Sequence, residues 1–387
     1  MKYFKEDNAL VIKSWCNDPE DGAIEQAKNA ASLPFAFKQI CLLPDAHKGF
    51  FIPIGCVLAT KDYIIPSSVG LDIFCGVNAI KTSITSDIST ETIKKVMSQV
   101  REVIPFGFNH HNTKQDSSLL PEVNSVSTPI VSREYEKALY SLGSCGSGNH
   151  FWNLLKDQDN FVWVMLHSGS RNLGKQVAEH YNKVAVKLNA KWFSSVPKEW
   201  GLAFLPFNSE EGQQYWREMQ YCGKYALASR KLMMDRTCAI LSSETGCSFE
   251  PMIDISHNYA EVEEHFGETV IVHRKGATLA STGTIGLIPG SQGTQSYVVR
   301  GKGNPESFNS CSHGAGRKMA RGVAKRTLNF EEEKGKMEEK GIIHSIRSKE
   351  NLDEAPGSYK DIEAVMAEQA DLVDILFKLD PLAIIKG

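Results

Sequence analysis

The sequence lacks the features of several large functional classes. Its longest apolar run, Phe161 to Leu166, is far too short to span a bilayer, and the N-terminus has no apolar segment typical of a secretory signal. The nine cysteines are an odd number and include no CxxC pair, which favours reduced thiols over a disulfide framework. We therefore expect a cytoplasmic protein with no membrane segment.

A strong excess of charge is also missing. The 387 residues carry a formal net charge of −3, and the isoelectric point is about 6.4. Any affinity for nucleic acid must therefore come from a local basic patch on a nearly neutral body. The 42% hydrophobic and 23% charged fractions are those of an ordinary globular protein, so composition does not indicate a function.

Four common motifs of nucleotide and hydrolase chemistry are absent from the sequence. It contains no GxxxxGK[ST] phosphate loop, no GxGxxG fingerprint and no GxSxG nucleophile turn. It also has no KxDG motif, which carries the lysine nucleophile of the usual nucleic-acid ligases. If the chain transfers a nucleotide, a residue other than lysine must attack it.

Short apolar runs separated by glycine and proline predict strands and tight turns over residues 10–80 and 268–300, and residues 108–130 are predicted to be irregular. Phe161 to Leu166 predicts a buried strand. Apolar spacing predicts helices at Ser89–Val103, Asn172–Lys187 and Glu211–Leu241, a solvated helix at 331–340, and a helix in the tail from Asp361 to Leu376. Because no repeat or linker is visible, we expect one α+β domain over 1–387, with a β-rich core and flanking helices.

Glycine-rich turns that carry Asp, Cys or His recur at the ends of apolar runs. These side chains suit a borderline divalent metal such as Zn, Mn, Fe or Co, and Asp72 and Cys75 lie three residues apart in one turn. Taken singly, each is more often a buried hydrogen-bonded residue than a ligand; their joint placement favours a metal site. The remaining polar turns of this kind are Gly146–His150, His167–Arg171, Ser256–Asn258 and His313–Arg317. His110, His111, His180, His265, His273 and His344 lack this context, and we expect surface or core roles for them.

The last third of the chain predicts an anion site. His313 to Gly316 precedes a predicted helix in which Arg317, Arg321 and Lys325 would share one face. A helix N-terminus with guanidinium groups is a favourable phosphate site. The turn Pro289 to Gly293 could hold a nucleotide, although an ordinary turn and a solvated basic helix explain both segments equally well when each is taken alone.

Longer blocks of the sequence resemble the RtcB family of RNA ligases. They fall in the family's order over nearly the whole chain and include LPDAHKG (43–49), GLDIFCG (70–76), GSGNHF (146–151), LHSGSRNLG (166–174), SHNYAE (256–261), HRKGAT (273–278), PGSQG (289–293), SCSHGAGR (310–317) and the final IKG. The resemblance implies a ligase that uses GTP and two Mn²⁺ ions in a central cleft. It would join an RNA 3′-phosphate or 2′,3′-cyclic phosphate to a 5′-hydroxyl, in RNA repair or tRNA splicing, and whether an activating protein takes part stays open.

The resemblance also assigns roles by motif position. His313 corresponds to the guanylylated histidine, and the metal ligands would be Asp72, Cys75, His150, His167 and His257, with Cys75 shared by both ions. The nucleotide contacts would be Asn149, His150, Phe151, Asn153, His257, Asn258, Pro289, Gly290, Ser291, Gln292, Ser296, His313, Gly314, Ala315, Gly316 and Lys386. We add Arg171, Arg317 and Arg321 as candidates for binding RNA phosphates.

Asn153 departs from the family pattern, which has a glutamate that reads the guanine edge at this position. An amide oxygen replaces a carboxylate, so the preference for GTP over ATP is open. Two other functions also stay open: a metal-dependent phosphoesterase that opens cyclic phosphates without joining ends, and a non-catalytic protein that binds RNA ends. The phosphoesterase would not need His313, and the binding protein would not need the metal ligands.

Overall fold

The computed structural model describes residues 1–85 and 87–387. In chain order its strands are β1 (Lys2–Phe4), β2 (Val11–Ser14), β3 (Ala36–His47), β4 (Ile54–Thr60), β5 (Tyr63–Ile64), β6 (Gly76–Thr85), β7 (Phe151–Lys156), β8 (Phe161–Ser168), β9 (Leu205–Pro206), β10 (Ile253–Ser256), β11 (Asn258–His265), β12 (Glu268–Lys275), β13 (Ala277–Leu279), β14 (Ile285–Ile288), β15 (Ser296–Gly301), β16 (Ser310–Ser312) and β17 (Val373–Lys386).

Most of the strands form two large sheets. Sheet A has the order β1-β2-β3-β4-β12-β11, and sheet B has the order β10-β6-β8-β7-β17-β15-β14. Strands β2 and β3 pair in parallel, whereas the other pairs in both sheets are antiparallel. β13 and β16 form a small ribbon, and β5 pairs with β9. His257 lies between β10 of sheet B and β11 of sheet A, so the chain passes from one sheet to the other at this residue.

The helices cover the sheets. They are α1 (Asp21–Ala31), α2 (Pro66–Val69), α3 (Thr90–Val103), α4 (Pro129–Ser141), α5 (Arg171–Lys191), α6 (Glu210–Thr245), α7 (Arg321–Thr327), α8 (Phe330–Glu339) and α9 (Ile362–Glu368). Short 3-10 turns occur at Ser117–Leu119, Lys198–Trp200, Pro305–Ser307, Lys349–Glu354 and Pro356–Ser358. Among the described residues, the helices include none whose length and apolar character would let it cross a membrane. The α+β class expected from the sequence is confirmed.

Helix α3 illustrates how the sequence specifies a flanking helix. Ser89 accepts a hydrogen bond from the Thr92 N–H at 3.1 Å and thereby caps the first turn. The apolar spacing then places Ile93, Val96 and Val100 on one buried face, in a core that also contains side chains of α6 and sheet B. Burial of each such side chain contributes about 1.5–3 kcal/mol.

The long helices, the strand at Phe161 and the irregular segment before residue 129 are confirmed, whereas three other expectations are wrong. The tail is a helix only to Glu368, and Leu376 lies in β17, where backbone pairing with β15 and β7 holds the chain extended. The run Val69–Ile73, one of the strands predicted within residues 10–80, instead forms the end of α2 and a turn, because Pro66 at the first helical position favours a helix start. Helix α1, whose buried face is made only of alanines, was not predicted.

Candidate metal and nucleotide site

One end of sheet B gathers the polar turns that the sequence analysis selected. Neighbouring antiparallel strands run in opposite directions, so the start of one strand lies beside the end of the next. The register pairs Ser256 with Gly76, Gly76 with Ser168, Phe151 with His167, and Lys386 with Phe151. Turns from distant parts of the chain therefore meet at a single edge of the sheet.

The five predicted metal ligands form one cluster at this edge. Cys75 Sγ lies 3.1 Å from His167 Nε2 and 3.3 Å from His150 Nε2. The Nε2 atoms of His167 and His257 are 3.3 Å apart, and His150 Nε2 is 2.9 Å from Asp72 Oδ2. The ligand atoms of Cys75, His150 and His167 all lie within 4.8 Å of one another, so these three residues could hold a metal ion.

The cluster fits a divalent metal by its spacing and by its unpaired atoms. In a tetrahedral site with metal–nitrogen bonds of about 2.1 Å, neighbouring ligand atoms are about 3.4 Å apart, close to the separations found here. Asp72 Oδ1 has no hydrogen-bond partner within residues 1–85 and 87–387. His167 Nδ1 lies 3.0 Å from the Asn149 carbonyl oxygen, which accepts its hydrogen and leaves Nε2 directed at the cluster.

Burial keeps two imidazoles of the cluster, those of His167 and His257, neutral. Desolvation, followed by the nearby His150, lowers the pKa of His167 well below its usual range, and desolvation with His313 does the same to the pKa of His257. A neutral imidazole is the form that binds metal. Burial and the neighbouring Asp72 raise the pKa of the Cys75 thiol well above its usual range. A bound cation reverses this effect and favours the thiolate.

His313 lies beside this cluster and is oriented by a buried carboxylate. Its ring centroid is 4.8 Å from that of His257. Its Nδ1 is 2.6 Å from Asp45 Oδ2, which also accepts the His313 backbone N–H at 3.1 Å. Burial raises the pKa of the Asp45 carboxyl, but the His313 imidazole overcomes that effect, and the net pKa is below its usual range. With Nδ1 donating to a carboxylate, the Nε2 lone pair of His313 is available for attack.

Lys360 and Gly316 fix the Asp45–His313 pair from the other side. The Lys360 ammonium donates to the carbonyls of Pro44 at 3.1 Å and Ala46 at 2.6 Å, one on each side of Asp45. The Lys360 N–H also donates to the Gly316 carbonyl at 2.9 Å. Gly316 has a φ of +71°, and a Cβ there would lie 2.3 Å from the Asp45 carbonyl oxygen, so this turn requires glycine.

A cavity of about 190 Å³ opens in front of His313 and contains most of the predicted nucleotide contacts. Its wall includes Asn149, Phe151, Asn153, Pro289, Gly290, Ser291, Gln292, His313, Gly314, Ala315, Gly316, Arg317, Arg321 and Lys386. Four predicted contacts lie elsewhere: His150 and His257 belong to the ligand cluster, and Ser296 Oγ supports the Pro289 turn by accepting the Gly290 N–H at 3.1 Å. Asn258 lies behind Asp72, to whose carbonyl it donates at 3.2 Å.

The predicted basic helix face is wrong. Helix α7 begins at Arg321, and Arg317 belongs to the preceding extended segment, in which its backbone bridges to Tyr359. The physical reason is that Gly316 turns the chain away from helical geometry immediately before Arg317. The segment Lys349–Glu354 supplies carboxylates to all three cations, as Arg317 pairs with Glu354, Arg321 with Asp353 and Glu354, and Lys325 with Glu350 and Asp353.

Glu354 links these cations to the cavity. Its carboxylate lies 2.6 Å from the Lys386 ammonium and 3.1 Å from the Arg321 guanidinium. Burial raises the pKa of Glu354, but Lys386 and then Arg321 outweigh it and lower the pKa to about 2. The predicted phosphate-binding cations are therefore partly neutralised. Arg171, which is not part of the cavity wall, donates to the Ser144 hydroxyl at 3.1 Å and the Gly107 carbonyl at 3.0 Å.

Asp45, Arg230 and Glu354 are positioning residues that sequence analysis missed. Arg230 of α6 is buried, pairs with Asp254 at 2.6 Å, and donates to the carbonyls of Phe74 and Ser168 at 3.0 Å each. These carbonyls adjoin Cys75 and His167, so Arg230 fixes two ligand turns. The sequence did hold a signal for Asp45, because this carboxylate follows the apolar run of residues 40–44 in β3. A charge buried in such a run usually has a partner, which would have indicated a functional contact.

Comparison with known proteins gives matches over almost the entire chain. The family model described as tRNA-splicing ligase RtcB matches residues 26–129 and 122–387. The RNA-splicing ligase RtcB of Escherichia coli K12 is 35% identical over 400 residues, which are 97% of each chain. The tRNA-splicing ligase RtcB of Thermococcus kodakarensis is 31% identical over 95% of this chain and 92% of its own length. With identity and coverage of this extent, and with a Cys–His cluster able to hold metal, the chain belongs to the RtcB family.

Proposed function

We propose that this protein is a GTP- and manganese-dependent RNA ligase that joins an RNA 3′-phosphate or 2′,3′-cyclic phosphate to a 5′-hydroxyl end. The observation that carries the proposal is the placement of His313. Asp45 Oδ2 lies 2.6 Å from His313 Nδ1 and orients the ring. The ring lies next to His257 of the ligand cluster and lines the 190 Å³ cavity. The RNA-splicing ligases to which the chain is similar support RNA as the substrate.

His313 acts as the nucleophile in this proposal. Its Nε2 attacks the α-phosphorus of GTP, an N–P bond forms, and the bond to pyrophosphate breaks. Asp45 holds the Nδ1 proton and stabilises the positive charge that develops on the ring. The residues that would hold Mn²⁺ are Asp72, Cys75, His150, His167 and His257, and the metal would supply neutralisation of phosphate charge.

The RNA ends then react in two further steps. An oxygen of the RNA 3′-phosphate attacks the phosphorus of the guanylyl group on His313. The N–P bond breaks, which releases the free histidine, and a phosphoanhydride forms between the RNA phosphate and GMP. The 5′-hydroxyl attacks the RNA phosphorus, loses its proton to solvent, and expels GMP as the new phosphodiester forms. A cyclic phosphate is first opened by water to give the 3′-phosphate and a free 2′-hydroxyl. Arg171, Arg317 and Arg321 remain our candidates for RNA phosphates, of which the half-exposed Arg321 is the most accessible.

Replacing Cys75 with alanine tests whether this thiolate is shared by two ions. We expect the bound manganese to fall from two ions per chain to one or none, with an affinity at least about 100-fold weaker. Even the replacement of a residue that only hydrogen-bonds to a metal ligand typically lowers metal affinity roughly 10- to 100-fold. Metal content of the purified and dialysed protein is the measurement. Cys238→Ala, which changes a partly exposed thiol on α6, is the matched control. Retention of two ions by the Cys75 variant contradicts the ligand assignment.

Replacing Asn153 with aspartate tests the base contact. Asn153 is 5% exposed, and its Oδ1 has no hydrogen-bond partner among the residues that the structure describes. A carboxylate of the same shape would accept the two N–H groups of the guanine edge. Because charged hydrogen bonds are stronger, we expect the ratio of GTP to ATP labelling to rise roughly 5- to 30-fold. An unchanged ratio would remove Asn153 from the base site.

A further inference from the structure

A second and larger cavity adjoins the smaller one at His313. Its volume is about 540 Å³, and it shares Ile54, Asn149 and His313 with the 190 Å³ cavity. His257 and Asn258 also line it, so it extends to the edge of the ligand cluster. A group bound in this second cavity would therefore lie beside His313 and next to the proposed nucleotide site.

Exposed apolar side chains form the outer wall of this cavity. Phe50 is 81% exposed, Leu71 is 50% exposed and Phe51 is 42% exposed, although all three line a concave surface. Exposed aromatic rings beside a reactive centre are a recurring platform for unstacked nucleic-acid bases. Exposure of the Phe50 ring to water is itself unfavourable.

The loop that carries Phe50 is fixed by hydrogen bonds. The Lys275 ammonium donates to the Phe50 carbonyl at 2.8 Å and to the Ser67 carbonyl at 3.0 Å. Gln26 donates to the Gly49 carbonyl at 2.7 Å and accepts the Gly49 N–H at 3.0 Å. The ring of Phe51 occupies the space beside Gly201, where a Cβ would lie 1.9 Å from it. The exposed ring of Phe50 therefore projects from an ordered turn.

The charges of the two cavities differ. Three cations, Arg317, Arg321 and Lys386, line the smaller cavity, and their carboxylate partners Glu354 and Asp353 neutralise them only in part. In the larger cavity Glu179, which pairs with Lys175, has the opposite charge to Lys183, and the Lys275 ammonium is already bound to two carbonyls. A phosphate dianion is favoured near the arginines and disfavoured beside Glu179. The larger cavity therefore suits an uncharged end of an RNA strand.

We propose that the larger cavity binds the 5′-terminal nucleoside of the RNA strand that carries the free 5′-hydroxyl, with its base stacked on Phe50. The inference rests on the proposed function and extends it, because it assigns the two RNA ends to different cavities that meet at His313. The stacked base would direct the 5′-hydroxyl toward the Asn149 and His313 end of the cavity.

Two labelled RNA strands test the assignment in direct binding to the full-length protein with Mn²⁺. One strand has a free 5′-hydroxyl, no phosphate at either end and a dye at its 3′ end; the other has a 3′-phosphate and a dye that blocks its 5′ end. We expect Phe50→Ala to weaken binding of the first strand roughly 5- to 50-fold, as loss of one stacked base does, and to change the second less than about twofold. Phe50→Trp should restore binding.

The controls separate stacking from other effects. Phe193→Ala removes an equally exposed ring, 93% exposed and outside this cavity, and should change neither affinity. An abasic 5′-terminal nucleotide should weaken binding to the unaltered protein but cause no further loss in Phe50→Ala. Equal weakening of both strands, weakening of the 3′-phosphate strand alone, or no change would each overturn the inference. Binding that responds as expected in a protein that joins no ends would instead contradict the proposed ligase.

Discussion

Replacing His313 with alanine is expected to eliminate covalent labelling of the protein by α-labelled GTP and to reduce RNA joining by at least about a thousandfold. Loss of an attacking group has effects of this size because no neighbouring group can substitute for it. His313 is the histidine that combines a carboxylate partner at Nδ1 with a place in the wall of both cavities. The label on the unaltered protein should be labile in acid and stable in alkali, as a phosphoramidate is.

His110→Ala is the matched control for this experiment. His110 is an exposed histidine that bonds to the Ser141 hydroxyl at 3.0 Å and lies in neither of the two cavities. Its replacement should leave labelling unchanged. Metal content of both variants should equal that of the unaltered protein, since neither side chain belongs to the five-residue cluster. Persistent labelling of His313→Ala would show that another residue is the nucleophile.

The second large effect is expected for Asp45→Asn. The substitution keeps the shape of a wholly buried side chain but removes the negative charge that accepts the Nδ1 proton of His313. A single atom, Oδ2, accepts both the Nδ1 proton and the backbone N–H of His313. An amide oxygen in its place keeps both hydrogen bonds without the charge that stabilises the imidazolium, whereas an amide NH₂ group there selects the tautomer with the proton on Nε2. That tautomer has no lone pair at the attacking nitrogen. In a triad, the same change lowers the rate about 10⁴-fold, and we expect about 10²- to 10⁴-fold here.

The rate of labelling in a single turnover, measured over a range of GTP concentrations, checks this prediction. The maximal rate should fall while the concentration giving half the maximal rate changes little, because Asp45 lies behind His313 and does not line the nucleotide cavity. Thermal unfolding and metal content report whether the variant is folded. An unimpaired maximal rate in a folded variant would mean that the Asp45–His313 pair has only a structural role.

The ligand cluster was predictable because its elements are local. Four of the five ligands lie in glycine-rich turns at the ends of apolar runs, His257 lies between two strands, and antiparallel pairing brings such ends together. Sequence could not give the partner of His313, because Asp45 is 268 positions away and the contact depends on how β3 packs near β16. The resemblance to the RtcB family supplied the roles of these residues. The strand register of sheet B supplies the physical reason why their turns converge.

The basic segment after His313 shows where pattern reading fails. A spacing of four residues predicted a shared helix face for Arg317 and Arg321, but the left-handed Gly316 and the pairing of Arg317 with Tyr359 interrupt the helix. The carboxylate that gathers these cations, Glu354, lies in a 3-10 turn without any motif. Tertiary contacts decide both features, and neither contact is visible in local sequence.

The joining reaction itself tests the central claim most directly. A strand labelled at the phosphorus of its 3′-terminal phosphate is incubated with a 5′-hydroxyl strand, Mn²⁺, GTP and the pure protein. We predict a longer product in which the label is protected from phosphatase and lies in a 3′–5′ phosphodiester, with one GMP released per joint. Opening of the matching 2′,3′-cyclic phosphate without any joined product, in protein that holds metal, would contradict the ligase and support the phosphoesterase.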